Sequence, residues 1–528
     1  MNNKNPLPAS TDVLVIGHGP VGAALGALLG RYGVQALIVD KVQEVLLMPR
    51  AIALDNEALR ILQMAGLGED AFERIGIPEV KMHCPYLGQF GRANTSGSID
   101  GHPKLVTFYQ PDLEHALRRQ AARYECVQVH SGYELVDMQQ NDTGVIATLK
   151  GADDSLHQVT ARYLIGADGA SSRVRTLIGQ DFQGQTYAED WLIVDACQRA
   201  GKAIDHVEFI CDPRRPTPHM PAPGGRERWE FMLQPGETRE DMEKPEKVAE
   251  LLRPWIKPEE LVIERKAVYR FHARCCERFQ QGRMFLVGDA AHITPPFVGQ
   301  GLVAGLRDAA NLGWKLSWVL KGMATPALLD SYDQERRPHA KQMIELARHM
   351  GHLVMPGNKP SAIAIHGAMR LARLLPPLRR LLEELEIKPA NRFKTGFFQP
   401  GRAGRALQRG GQLPQALVRH QGAIVLSDEA LGDRLTLVGF DMDPRGLLDD
   451  VTRVRWEARG GGFLHIGLRG QQPGVQTPFA EDLSDRLVPG TARGWVAVVR
   501  PDRVIMHDGP AAGATTIVTR CLHALSGE

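Results

Sequence analysis

Cysteine is scarce in this chain. There are seven in 528 residues, an odd number, with no C-x-x-C pair and no metal-ligand spacing. Cys275 and Cys276 are adjacent, which suits neither a strain-free disulfide nor zinc. These absences argue against a disulfide scaffold and a metal site, and point to reduced, buried thiols in a cytoplasmic protein. An excess of one charge is also missing. Lys and Arg total 63 against 61 Asp and Glu, a net charge of +2. That balance gives no support to nucleic-acid or membrane-surface binding. Internal repeats and long low-complexity tracts are absent. Long apolar runs are missing too, with one apparent exception, the 18 residues from Val13 to Gly30, which hold no Asp, Glu, Lys or Arg. Their five glycines and one proline split the run into a short strand and a small-residue helix. A buried βα unit is therefore expected, not a membrane span or a signal-peptide core. Residues 1–11 before it are expected to be loose.

What is present begins in that unit. Asp12 to Ile16 reads as a buried parallel strand. It runs into Gly17-His18-Gly19-Pro20-Val21-Gly22. Gly17 allows a tight turn, Gly19 lets a diphosphate approach the backbone, and Gly22 lets the following helix pack against the strand. The helix start offers unpaired N–H groups and a positive dipole end. A second strand, Val34 to Val39, ends at Asp40-Lys41, where a carboxylate can accept a hydrogen bond from a ribose hydroxyl.

About 270 residues later a third strand, Arg283 to Val287, ends in Gly288-Asp289-Ala290-Ala291-His292. Pro295-Pro296 and Gly299-Gln300-Gly301 follow, opening a helical pattern from Leu302 to Leu320. Asp289 can accept hydrogen bonds from a sugar-alcohol chain. The amides of Gly301 and Leu302 can face an electron-rich ring edge. One ligand needing both distant glycine stretches is most simply FAD. His292 reads as a hydrogen-bonded turn histidine in preference to a catalytic one. Between the two stretches lies a strand, an Asp168-Gly169 turn and a basic helix start through Arg173 and Arg175.

These three motifs, in this order and spacing, resemble those of the single-component FAD-dependent aromatic hydroxylases over roughly residues 10 to 350. The resemblance implies that Asp168 serves both FAD and NAD(P)H binding and that Asp289 contacts the ribitol. It also implies that Arg50, in Pro49-Arg50-Ala51, and Gln110 contact the cofactor. Many members carry Asn where this chain has Val303, which removes a side-chain contact to the flavin there. The family's chemistry implies FAD, NADH (with NADPH the alternative) and O2. One oxygen atom would go to the carbon ortho to a phenolic hydroxyl of a 3-hydroxyphenyl-substituted short acid, such as 3-(3-hydroxyphenyl)propionate or 3-hydroxycinnamate. Other phenols, a flavin reductase or dehydrogenase that does not use O2 productively, and a flavin-binding redox sensor are the alternatives. A homo-oligomer is allowed.

The implied fold class is α/β with α+β elements. A Rossmann-like FAD-binding domain spans 10–180 and 265–400, including a helical segment 327–400. An antiparallel-sheet substrate domain at 181–264 is inserted in it, and a thioredoxin-like domain at 412–528 follows a Gly/Arg-rich stretch from Gly401 to Gly411. The C-terminal domain has no C-x-x-C, so a bracing or interface role is expected. By the resemblance, Tyr187, four residues before Trp191, helps deprotonate the phenol; a core tyrosine is the alternative. Arg214, Arg215, His219 and Arg270 are candidates for the substrate carboxylate, and the sequence does not select among them.

Overall fold

Residues 6–47, 49–198, 203–257, 260–384, 388–400, 407–471, 477–488, 490 and 493–527 are described in a computed structural model of the chain. Three large sheets organise them. The first has Ser10–Ile16 near its centre, with Ala36–Asp40 and then Val127–Ser131 parallel on one side and Leu156–Gly166 parallel on the other. The C-terminal end of Leu156–Gly166 pairs with Met284–Leu286 in parallel, and its N-terminal half with Val145–Lys150 in antiparallel. Val13, Leu14 and Val15 are fully buried, as both-face coverage of a central parallel strand requires. Ser10 and Thr11 already pair with Thr160 and Ala161, so the segment expected to be loose is ordered at its end. Helix Pro20–Arg31 packs on this sheet beside helix Gly301–Leu320, whose length from Val303 to Val319 is buried. An added Cβ at Gly26 would stand 2.4 Å from Ile38 Cδ1. The small residues of this helix thus set how close it lies to the sheet. No described helix is long and apolar enough to cross a membrane.

The second sheet runs His292–Ile293, Leu261–Cys276, Phe182–Gln198, Arg226–Met232, Thr217–Ala222, Val207–Ile210, Glu79–Cys84, Gly88–Asn94. It is wider than the 181–264 segment read from sequence. Phe182–Gln198 and Leu261–Cys276 pair along most of their lengths, past residue 264, and Glu79–Cys84 joins in parallel to Val207–Ile210. The rest of the sheet is antiparallel. Trp229 and Phe231 turn to one face and pack with Met242, Val248 and Leu252 of two short helices. Arg228 and Glu230 alternate with them onto the other face, where Arg228 meets the Pro49–Arg50 loop and Glu230 the cavity.

The third sheet, seven strands from Leu417 to Pro510, has Phe479–Asp482, Gly462–Gly467 and Thr436–Phe440 parallel at its middle and Trp495–Val499 and Ile505–Pro510 antiparallel beside them. Helices Asp450–Ala458 and Ala514–Ser526 complete a βαβ-ββα thioredoxin-like arrangement. The strand expected from Arg503 begins at Ile505, because Arg503 sits at φ 68 in the left-handed region and belongs to the turn. The preceding Gly/Arg-rich stretch lies outside the described residues over 401–406. This unit is tied to the helices by buried charge. Glu335 accepts from Arg500 at 2.7 and 2.9 Å, Lys315 at 2.8 Å and Asn311 at 2.6 Å. All seven cysteines are free.

Candidate active site

The tip of Ser10–Ile16 delivers the glycine loop to one edge of a cavity of about 1300 Å3. Gly17 has φ 106, and a Cβ on it would lie 2.4 Å from the Ala167 carbonyl oxygen. A Cβ on Gly22 would lie 2.0 Å from the Gly17 oxygen. Both glycines are needed by the protein's own packing. Gly19 differs: nothing lies within 4 Å of a Cβ there, and it lines the cavity with Pro20 and Val21. Gly19 caps helix Pro20–Arg31 without a side-chain acceptor, so the first amides of that helix lack intrahelical partners. This is an anion cradle. Asp40 Oδ2 accepts the His18 N–H at 2.6 Å and Oδ1 the Val42 N–H at 2.8 Å, while Asp40 and Lys41 both line the cavity. Asp40 therefore shapes the loop as well as facing the ligand space.

The Asp-Gly and Gly-Asp motifs meet across the same cavity but have different tasks. Asp168 accepts from Ser172 Oγ at 2.5 Å and from the Arg173 and Val174 amides at 2.7 and 3.1 Å. It is spent on holding its own turn. Arg175 bridges the motifs by donating to the carbonyls of Ala170 and Ala290. Asp289 has no hydrogen-bond partner among the described residues. Burial pushes its carboxyl up from the ordinary range, against the pull of Arg50. A cavity-facing carboxylate left without a donor fits a polyol. Pro295, Gly299, Gly301 and Leu302 continue the wall, with Gly299 at φ 63. Gln300 is braced from behind, donating to Asp55 Oδ2 at 3.0 Å and accepting from Arg307 at 3.0 Å. Lys388 binds the same Asp55 oxygen at 2.7 Å. This bracing fixes the free amides of Gly301 and Leu302 at the helix start. Val303 is fully buried in the core and is not part of the cavity wall. His292 bonds Asp308 at 2.6 Å, and Asp308 binds Arg336 at 2.9 Å, a structural turn histidine.

Arg50 and Gln110 both line the cavity, and Gln110 Oε1 accepts the Arg50 and Ala51 amides at 2.8 Å each. The sequence did not disclose the clamp beneath this loop. Arg228 donates to the Arg50 and Pro49 carbonyls at 3.0 and 2.9 Å, Arg265 donates to Pro49 at 2.5 Å, and Asp195 pairs with both arginines. The second sheet thereby grips the loop that carries Arg50. Together, a glycine cradle, an unpartnered Asp289 and two helix starts fit one extended dinucleotide with a polyol and a ring, as FAD has.

Beyond this end the cavity opens under the second sheet, against Ile193, Phe209, Met220, Phe271, Phe297 and Met350. Here the sequence expectations fare worse. Tyr187 is outside the cavity wall, edge-on to Phe297 at 5.8 Å between ring centres, and burial raises its hydroxyl pKa. Both facts oppose its assigned role in deprotonating the phenol. Arg214 points to solvent with Asp212 at 2.9 Å. Arg215 is held by Glu237 at 2.7 Å. His219 is buried between Glu208 at 3.0 Å and Glu227 at 2.7 Å, stacked on Trp229. Burial pulls its pKa down, but the two carboxylates carry it above the ordinary value. None of these three lines the cavity; Arg270 does, though it is already paired with Asp190 at 2.8 Å. Glu230 was missed. Reading Arg226–Met232 with period two, which puts Arg228, Glu230 and Met232 on one face, was the available signal.

Comparison with known proteins agrees with this geometry. An FAD binding domain family model matches residues 10–347, and the HcaD C-terminal domain model matches 410–524. The chain belongs to the FAD-binding family and is a flavin-dependent aromatic monooxygenase. It is 34% identical over 519 residues to 3-(3-hydroxy-phenyl)propionate/3-hydroxycinnamic acid hydroxylase 2 of Burkholderia vietnamiensis, covering 95% of this chain and 94% of that one. It is 33% identical to the corresponding hydroxylase of Escherichia coli, covering 94% and 91%. The fold is shared with the flavin-dependent monooxygenase PieE, solved with FAD and substrate (TM-score 0.81, 22% identity, 98% and 99% covered). It is shared also with aklavinone-11 hydroxylase, solved with FAD and aklavinone (TM-score 0.76, 22% identity, 98% and 99% covered).

Proposed function

We propose that this protein uses FAD, NADH and O2 to hydroxylate 3-(3-hydroxyphenyl)propionate and 3-hydroxycinnamate ortho to the phenol, giving the 2,3-dihydroxyphenyl acids. The observation that carries this reading is the continuity of one cavity from the dinucleotide cradle to an apolar, aromatic-walled chamber. The relatives' names supply the substrate class. When bound, the flavin supplies the redox and oxygen-transfer chemistry, and the protein supplies placement and electrostatics.

The residues that would hold it are Gly19 with the Val21 and Gly22 amides at the diphosphate, Asp40 at the ribose, Asp289 at the ribitol, and the Gly301 and Leu302 amides at the ring. Phe271, Phe297 and Met350 keep water from the reacting ring. Purified holoprotein given meta-substituted phenolic acids and isotopically labelled O2 tests the reading. One labelled atom in a 2,3-dihydroxyphenyl product is expected, with NADH consumed in step. NADH loss with no label in any product would overturn it.

A further inference from the structure

The chamber beneath the second sheet is apolar where Ile193, Phe209, Pro218, Met220 and Phe271 form its wall. One carboxyl group enters that wall from strand Arg226–Met232. Glu230 lies opposite Ile193 in the sheet register, lines the cavity and is 7% exposed. Among the described residues no donor hydrogen-bonds it. The nearby cations are committed elsewhere. Arg228 is spent on Asp195 and the carbonyls of Pro49 and Arg50, and Arg265 on Asp195, Pro49 and the Tyr269 hydroxyl. A buried carboxylate without a partner is costly, and its retention at a cavity wall points to a donor that arrives with the ligand.

We propose that Glu230 accepts the proton of the substrate's phenolic hydroxyl. This rests on the hydroxylase reading above. The phenol O–H bond breaks, its electron pair stays on the phenol oxygen, and the proton forms a new O–H bond on Glu230. A phenolate and a neutral carboxylic acid result, with total charge unchanged. The phenolate pushes electron density onto its ortho carbon. The negative charge of Glu230 also repels the substrate's own carboxylate, so the phenol end of the acid faces it.

The chemistry of the site agrees. Burial pushes Glu230 up to about 6. Arg228 on its own strand and Arg265 two strands away pull it down, and Asp195 on the strand between pushes it up. A raised pKa makes a carboxylate a better proton acceptor near neutrality. The base form exists above that pKa and is lost below it.

The test uses FAD-loaded enzyme and 3-(3-hydroxyphenyl)propionate. Coupled product formation is followed against pH. In the wild type, coupled product formation rises as pH passes through about 6, because the base form of Glu230 is then present to take the proton as the ring reacts, while the resting phenol, with a pKa of ~10, stays protonated. E230Q removes the limb near pH 6 and slows product formation by roughly 10²–10⁴-fold. Ring-fluorinated, more acidic phenols narrow that deficit, a rescue that a purely structural role would not give. E230D keeps a pH limb and serves if E230Q does not fold. A wild-type profile without a limb near pH 6, or a rate and profile unchanged in E230Q, overturns the proposal. A wild type that hydroxylates no phenolic acid overturns the hydroxylase reading itself, whereas product formed without that limb overturns only the Glu230 assignment.

Discussion

The two ends of the cavity are built from different material. At the nucleotide end much of what faces the cavity is backbone: the Gly19 turn, the helix starts at Pro20 and Gly301, and the bend at Gly299, with the side chains of Asp40, Arg50, Gln110 and Asp289 set among them. At the substrate end they are side chains from strands far apart in sequence, such as Ile193, Phe209, Glu230 and Phe271. Backbone that must turn tightly or be approached closely demands glycine at fixed spacing. A wall of side chains demands only suitable size and polarity. The first kind of site is rigid by construction, and the second can be retuned without disturbing the fold.

Breaking the frame behind the nucleotide end should have the largest effect. Glu335→Ala leaves Lys315 and Arg500 buried without their shared carboxylate, and should cost about 3–5 kcal/mol in chemical denaturation. Burial opposes the charge on Glu335, but Arg500 and Lys315 hold its pKa well below the ordinary carboxylate range. Its contribution is therefore complete above the unfolded-state pKa and is lost as pH falls towards the folded one. The variant should lose that part of the acid sensitivity of unfolding.

Next in size is a pair of glycine substitutions that separates packing from ligand approach. Gly22→Ala places a Cβ 2.0 Å from the Gly17 oxygen. It should lower stability by about 1–3 kcal/mol and strip the flavin, read as lost visible absorbance. Gly19→Ala meets nothing within 4 Å, so it should leave the unfolding midpoint almost unmoved while still weakening flavin retention. Equal destabilisation by both would erase the distinction between these glycines. Asp289→Asn comes third. Losing a charged acceptor should weaken FAD about ten- to hundred-fold, measured by flavin fluorescence on titration, with the fold intact because no group among the described residues hydrogen-bonds that carboxylate.

The same contrast governs what could be read in advance. The strand-turn-helix at Gly17 to Gly22, the Gly288-Asp289 strand tip and the helix start at Gly301 were all legible, because each is a local chain requirement with a residue signature. Four strands of the third sheet were legible from their apolar runs, one of them starting late because Arg503 takes a left-handed turn, whereas strands Gly462–Gly467 and Phe479–Asp482 and the two helices were not. The Arg228–Asp195–Arg265 clamp was not, since it joins three strands to the Pro49 loop and no local spacing encodes it. Asp168 was legible as a motif, but whether it touches ligand or caps its own turn depends on amides that only the folded loop aligns. The substrate residues were least legible. Arg214, Arg215 and His219 look like anion binders in sequence because their partners, Asp212, Glu237, Glu208 and Glu227, become neighbours only through the fold.

The smallest expected effect falls on a residue that sequence reasoning favoured. Tyr187→Phe removes a hydroxyl that hydrogen-bonds nothing among the described residues and stands behind Phe297, outside the cavity wall. The ring keeps its edge-on contact with Phe297, so packing is conserved and stability should change by less than about 0.5 kcal/mol. If phenol activation belongs to the chamber wall, the pH profile of coupled hydroxylation should be that of the wild type. A profile whose limb moves in Tyr187→Phe would mean that Phe297 swings aside when substrate binds and admits the tyrosine. The substrate end would then be a wall that rearranges on binding, in sharper contrast to the fixed backbone cradle at the other end than this structure alone displays.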